Sequence, residues 1–140
     1  MIIYAVIVTN VLVSALLAAH TDSPTVLIRD YILEGSIIPL YNEEILMEYK
    51  VVLSRPKFGF PSLLVEDLIS AIVQTGISSE RVETEDSFID LKDVVFYEVA
   101  LSHEGSYLVT GNIKHFPKSP IVVTPAEMLA IMKKTAKQKR

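Results

Sequence analysis

The first seventeen residues constrain the fold more than any other segment. Residues 2–8, IIYAVIV, are an unbroken apolar run rich in β-branched side chains. A strand with one wet face alternates polar and apolar residues. A continuous run belongs to a strand covered on both faces, as in a parallel sheet flanked by helices. Thr9 and Asn10 end the run, and a second apolar stretch, residues 11–17, follows. Together the two stretches approach the length of a membrane span. Thr9, Asn10 and Ser14 interrupt it, and no basic region precedes it as in a secretory signal. The expectation is therefore a cytoplasmic chain without a membrane partner.

The rest of the chain alternates in the same way. After a helix over residues 11–19, Ser23 and Pro24 form a helix start, and Gly35 a stop. Residues 36–40, SIIPL, read as a short strand, with Pro39 expected near its end because it cannot donate to a ladder. Asn42 is placed to cap a helix over residues 43–54, whose Ile45, Leu46, Tyr49, Val52 and Leu53 fall at helical spacing. A second amphipathic helix covers residues 62–74 and is closed by Gly76. Val82 is assigned to a short strand, and Asp90 caps a helix over residues 92–102. Residues 107–110 and 121–123 are strands, and Thr124-Pro125-Ala126-Glu127 is a capping box opening a last helix over residues 126–133. Strands alternating with helices predict a three-layer α/β/α sandwich around a parallel sheet.

The 140 residues suffice for one domain. Residues 1–134 are assigned to it and 135–140 to a basic tail. There are no cysteines, so disulfides and thiolate sites are excluded, and any metal would be a hard ion such as Mg²⁺ or Mn²⁺. The net charge is −4, but five of the 13 basic residues lie in the last eight positions. The remainder carries eight basic against 17 acidic residues, a net of −9. Bulk charge therefore does not advertise nucleic-acid binding, and RNA contact would need local basic patches, the tail or bridging metal.

In parallel sheets the functional crevice lies beyond the carboxyl ends of the strands. The polar residues there are Thr9 and Asn10 after the first strand, and Thr110, Gly111 and Asn112 after the fourth. Glu48 and Asp93 sit on neighbouring helices, with Asp90 just before. Each has a plain structural alternative. Asn10 and Asp90 suit helix caps, Glu48 a solvated helix face, Asp93 a favourable partner of a helix dipole, and Gly111-Asn112 a turn. His103 and His115 lack metal-ligand spacing and read as surface residues. No glycine-rich phosphate loop follows the first strand, which argues against dinucleotide and ATP enzymes. No Ser-His-acid arrangement can be argued.

The segments VIVTNVLVSALL, EEILMEYKVVLSRPKF, DLKDVVFYEVAL, YLVTGNIKHFP and VTPAEML, in this order, resemble the PIN-domain family. The resemblance runs from the first strand to the last helix. It is nearest to the group described as toxin components of bacterial toxin–antitoxin systems. It implies an Mg²⁺- or Mn²⁺-dependent endoribonuclease, with RNA as substrate and a cognate antitoxin as partner. Carried over by position, Glu48 and Asp93 would be catalytic and metal-binding acids, with Asp90 the preceding acid. Asn112 takes a position often held by Asp but by Asn in the Thr-Gly-Asn subgroup. Thr9, Asn10, Thr110 and Gly111 would support them. The family's Asp-Thr-Asn sequence is here Val8-Thr9-Asn10, so the first acid is absent. Valine offers no lone pair, which implies weakened metal binding and impaired cleavage. The competing expectation is a catalytically inactive module that binds RNA or a partner. A flavodoxin-like small-ligand domain is the weaker third reading. The helices over residues 24–34 and 62–74 carry enough apolar residues either to face the core alone or to bury an outer stripe in a homodimer or under an antitoxin segment.

Overall fold

The computed structural model describes residues 2–138. Five parallel strands form one sheet in the order β3-β2-β1-β4-β5, with six helices completing a three-layer α/β/α sandwich. The strands are β1 (Ile3–Ile7), β2 (Ile37–Tyr41), β3 (Ile77–Ser78), β4 (Tyr107–Val109) and β5 (Val122–Val123). The helices are α1 (Thr9–Leu17), α2 (Pro24–Leu33), α3 (Glu43–Leu53), α4 (Ser62–Thr75), α5 (Val94–Leu101) and α6 (Pro125–Gln138). Strand β1 is central, and its Ala5, Val6 and Ile7 are wholly buried. This is the two-sided cover that the unbroken apolar run predicts. Helix α5 packs across β1, β2 and β4, while α1, α2 and α6 pack on one another. No helix of the described residues is long and apolar enough to cross a membrane.

Local chemistry explains most element ends. The Asn42 side chain accepts from the Ile45 N–H at 2.9 Å and opens α3. Thr124 and Glu127 exchange side-chain bonds with each other's backbone N–H at 3.1 and 2.9 Å, the reciprocal capping box that opens α6. Helix α6 continues to Gln138, beyond the expected residue 133 and through the first positions of the basic tail. Lys139 and Arg140 of that tail lie outside the described residues. Gly76 joins α4 to β3 where a Cβ would overlap the carbonyl oxygens of Pro39 and Ile72, so only glycine fits.

Four expectations are corrected. Pro39 lies in the middle of β2, paired with Ala5, rather than at its end. The Ser36 carbonyl faces β1 and the Tyr41 carbonyl faces Ser79, so alternation turns Pro39 toward β3. That ladder begins only at Leu40, and the missing N–H is not required there. Val82 is not in a strand; the third strand is Ile77–Ser78, and the Val82 N–H bonds the Glu98 carbonyl. Asp90 does not cap a long helix. Its side chain accepts from Lys92 N–H and opens a 3-10 turn, Leu91–Asp93, which feeds α5. Asn10 does not cap α1 either. Val8 holds that position without a side-chain bond.

Helices α2 and α4 turn Val26, Ile28 and Ile32, and Val65, Leu68, Ile69 and Ile72, inward. Leu33, Leu63 and Leu64 remain exposed on their outer side.

Residues 79–89 form a long irregular strap between β3 and the 3-10 turn. A buried acid in the middle of α5, Glu98, anchors it. Glu98 accepts from Arg81 Nε and from the Thr84 N–H, both at 2.8 Å. Arg81 also pairs with Glu44 on α3 at 2.8 Å. Burial pushes the Glu98 carboxyl up, but the Thr84 N–H and the Arg81 guanidinium together hold it below the ordinary range. Its contribution to stability is therefore present above the ordinary glutamate range and lost as pH falls through the depressed value. Arg81→Ala leaves Glu98 covered and short of a donor. The expected loss is about 1–3 kcal/mol, at the lower end because Arg81 is partly solvated. Thermal melts at neutral pH check this. An unchanged Tm would mean that the strap is not held by this ion pair.

Candidate functional site

The site lies where β1 and β4 end side by side. Ile7 is in register with Val109, and the Val8 N–H bonds the Val109 carbonyl at 2.9 Å. The residues that follow each strand are therefore neighbours across the ladder. Asn10 Oδ1 accepts from the Gly111 N–H at 3.0 Å, linking positions 101 residues apart. A Cβ at Gly111 would lie 3.4 Å from that oxygen, so a glycine keeps the approach relaxed. Thr110 is fully buried, and its hydroxyl accepts from the Asn112 N–H at 3.0 Å, which fixes the turn after β4.

Helix α3 brings the first acid to this edge. Tyr49 is wholly buried and donates its hydroxyl to the Ile7 carbonyl at 2.5 Å, tying α3 to the end of β1. Burial and the neighbouring Glu48 push the Tyr49 phenol far up, so it remains a neutral donor. Glu48, the residue before it, accepts a hydrogen bond from the buried Thr9 hydroxyl.

The 3-10 turn before α5 brings the second acid. Asp93 is half-buried, and its Oδ2 is closed off from water. His115 Nδ1 lies 3.3 Å from that oxygen, within range of charge attraction but outside hydrogen-bond geometry, so the oxygen has no donor. Burial raises the Asp93 carboxyl above its ordinary value, and the Asp90 charge adds to this, while His115 opposes it. Glu48 is also raised. Burial comes first, the Thr9 hydrogen bond opposes it, Asp93 and Asp90 add repulsion, and Lys92 relieves part of it. The two acids therefore share one electrostatic environment.

The structure thus joins Thr9 with Glu48, Asn10 with Gly111, and Thr110 with Asn112, and sets Asp93 and Asp90 in electrostatic reach of Glu48. Asp90 is committed to its own turn. His115, expected at the surface, keeps 40% of its side chain exposed there and lies beside Asp93. Its position three residues after Thr-Gly-Asn, beyond a strand's carboxyl end, was the available signal. His103 is half-buried elsewhere, stacked on Tyr4 at 4.3 Å between ring centres.

Asp93 and His115 adjoin and Glu48 feels the Asp93 charge, yet the three do not form a divalent-metal centre. Among the described residues no three Asp, Glu or His side chains are grouped to hold an ion. Val8, at the end of β1, is 5% exposed and packs in the core. Among the described residues Asp93 Oδ2 is the buried side-chain acceptor without a hydrogen-bond donor. A cavity of about 480 Å³ lies away from this edge, beside Lys50, Val65 and Ile69.

A family model described as PIN domain matches residues 4–114. No curated protein and no solved structure gave a match.

Because the fold raises the Glu48 carboxyl, its charge costs stability at neutral pH. That cost is relieved as pH falls through the raised value, and it vanishes below the ordinary carboxylate range. Glu48→Gln keeps an acceptor for Thr9 and removes the charge. It should raise Tm at pH 7 by about 2 °C, on a scale of roughly 2–4 °C per kcal/mol, with no gain at about pH 4. A lower Tm at pH 7 would show that the acids at this edge are not in conflict.

Proposed function

The chain belongs to the PIN-domain family, and from that premise we propose that it is a nuclease-type domain directed at RNA whose catalytic centre is impaired at Val8. The reading makes Glu48, Asp93 and Asn112 the catalytic set, with Glu48, Asp93 and Asp90 offering oxygens to Mg²⁺ or Mn²⁺. Thr9, Asn10, Thr110 and Gly111 position them. The observation that carries it is geometric: at the joint end of β1 and β4 Glu48 bonds Thr9, Asn10 bonds Gly111, and Asp93 lies 3.3 Å from His115 in the turn after Asn112. A pair of crowded carboxylates favours a cation, because the alternative is mutual repulsion. With Val8 in place of an acid, ion binding is weak and RNA cleavage slow.

The same reading makes the chain the toxin of a bacterial toxin–antitoxin pair, acting in the cytoplasm. A cognate antitoxin or a second copy would cover the exposed Leu33 and Leu64, which line one groove between α2 and α4. Residues 1–134 form the domain, and the basic tail, 135–140, adds positive charge to an otherwise acidic body.

A second reading, a non-catalytic module that binds RNA or a partner, is favoured by the absence of a three-acid cluster among the described residues. Val8→Asp separates the two. In the nuclease reading the variant melts lower than the parent without metal, because a third carboxylate joins the edge. It gains stability with Mn²⁺, binds Mn²⁺ more tightly in a calorimeter, and cleaves RNA faster. Equal Mn²⁺ binding by the two proteins, with chelator-insensitive RNA binding and no turnover, would leave only the binding module.

A further inference from the structure

We propose that the loop between β4 and β5 holds a subsite for a flanking nucleotide of a single-stranded RNA, with Lys114 and Lys118 on its phosphates and the apolar cleft between them on its base. The inference rests on the RNA-directed reading above and deepens it. A cavity of about 360 Å³ opens in this loop, lined by Ile113, Lys114, Phe116, Pro117, Lys118 and Val122 among others. That volume falls in the range of small-ligand sites. It adjoins the candidate site along the chain, because Ile113 and Lys114 directly follow Asn112 in the 3-10 turn Ile113–His115.

Charge selects the occupant. The body of the chain is strongly acidic, yet both lysines at this cavity are exposed and neither is in an ion pair among the described residues. The one acid on its lining, Glu127, directs a carboxylate oxygen to the Thr124 N–H. Two lysines against this one acid leave the lining net positive. Ile113 is 45% exposed and, with Pro117 and Val122, supplies an apolar surface between the lysines. Cation and apolar surface together suit a nucleotide, which presents an anion and a flat base within one unit.

The loop is also held in shape before any ligand arrives. Phe116 is buried and meets Phe88 edge-on at 6.1 Å, and Phe88 in turn meets Tyr97 at 5.7 Å. The His115 and Phe116 N–H groups bond the Asn112 and Ile113 carbonyls at 3.2 Å. Preorganisation of this kind lowers the ordering cost of binding.

The test uses the full chain and a fluorescent single-stranded RNA of about eight nucleotides, titrated by anisotropy over about 50–300 mM salt. The double variant Lys114→Gln/Lys118→Gln is compared with Lys133→Gln/Lys134→Gln, two exposed lysines on α6. The first pair should weaken binding about tenfold and flatten the log–log salt dependence by about 0.7 per lost phosphate contact, with the control near the parent. Backbone amide shifts on RNA addition should concentrate at residues 113–119. If the parent binds RNA and both double variants bind equally well, the subsite is refuted while the RNA-directed reading stands. If a poly-glutamate peptide binds as tightly as RNA with the same lysine dependence, the base cleft has no role and the proposal falls. If the parent binds no RNA, both the subsite and the reading beneath it fall.

Discussion

Strand β1 has no face turned to water, and the arrangement of the polar edge follows from that. Ala5, Val6 and Ile7 are completely buried between helix layers, so a polar side chain there would lose its hydration with nothing to replace it. The chain can first present polar groups where the strand ends. Thr9 is that point, and even there the hydroxyl is buried and needs an acceptor, which Glu48 supplies. Tyr49 sets the distance, since its bond to the Ile7 carbonyl presses α3 against the strand end. The neighbouring strand adds its own residues by register. With Ile7 opposite Val109, Gly111 must pass Asn10.

This edge is polar, half-buried and negative, three conditions that oppose one another. Burial raises both Glu48 and Asp93, with repulsion from Asp93 and Asp90 added at Glu48 and from Asp90 at Asp93, while one hydroxyl, one lysine and one off-axis histidine offset part of the cost. Elsewhere the fold deals differently with a covered acid. Glu98 receives a guanidinium and a backbone N–H, and its carboxyl is held low. The contrast separates an acid satisfied by its own protein from a pair left short of positive charge. Unsatisfied, perturbed groups gathered at one edge are a mark of function, whereas satisfied ones are a mark of architecture.

The sequence made legible what local chemistry decides. The apolar run predicts β1, Asn42 predicts its own bond to Ile45, and Thr124 with Glu127 predicts the reciprocal cap of α6. It failed where one side chain has two equally good uses. Asn10 at a helix start reads as a cap, but the same oxygen serves a backbone N–H 101 residues away. Pro39 looked misplaced because the short reach of β3 cannot be read from β2 alone. Glu98 sits in VVFYEVAL with nothing nearby to neutralise it, since its partner Arg81 lies 17 residues upstream in a strap without periodicity. His115 meets Asp93 through a turn and a loop that set no spacing rule. Glu48 and Asp93 were singled out by the family resemblance rather than by spacing, since contacts made across strand register follow no local pattern.

Val8 gains its meaning from these costs. A carboxylate at that position would join Glu48 and Asp93 in a half-dry edge. Each pair of unit charges about 4 Å apart repels by roughly 4 kcal/mol at an effective dielectric near 20. Only a bound cation reverses the sign. Valine avoids the repulsion and adds a buried apolar side chain, about 1.5 kcal/mol or more in favour of the fold. On the proposed reading, the residue that would serve a bound ion and the residue that suits the fold by itself differ at this position, and this chain has the second. What survives is everything that does not need the ion: the strand register, the Thr9–Glu48 and Asn10–Gly111 bonds, and the loop after β4 with its two unpaired lysines. On the proposed reading, phosphate and base contacts at that loop do not involve position 8, so binding of RNA and its cleavage would be separable there.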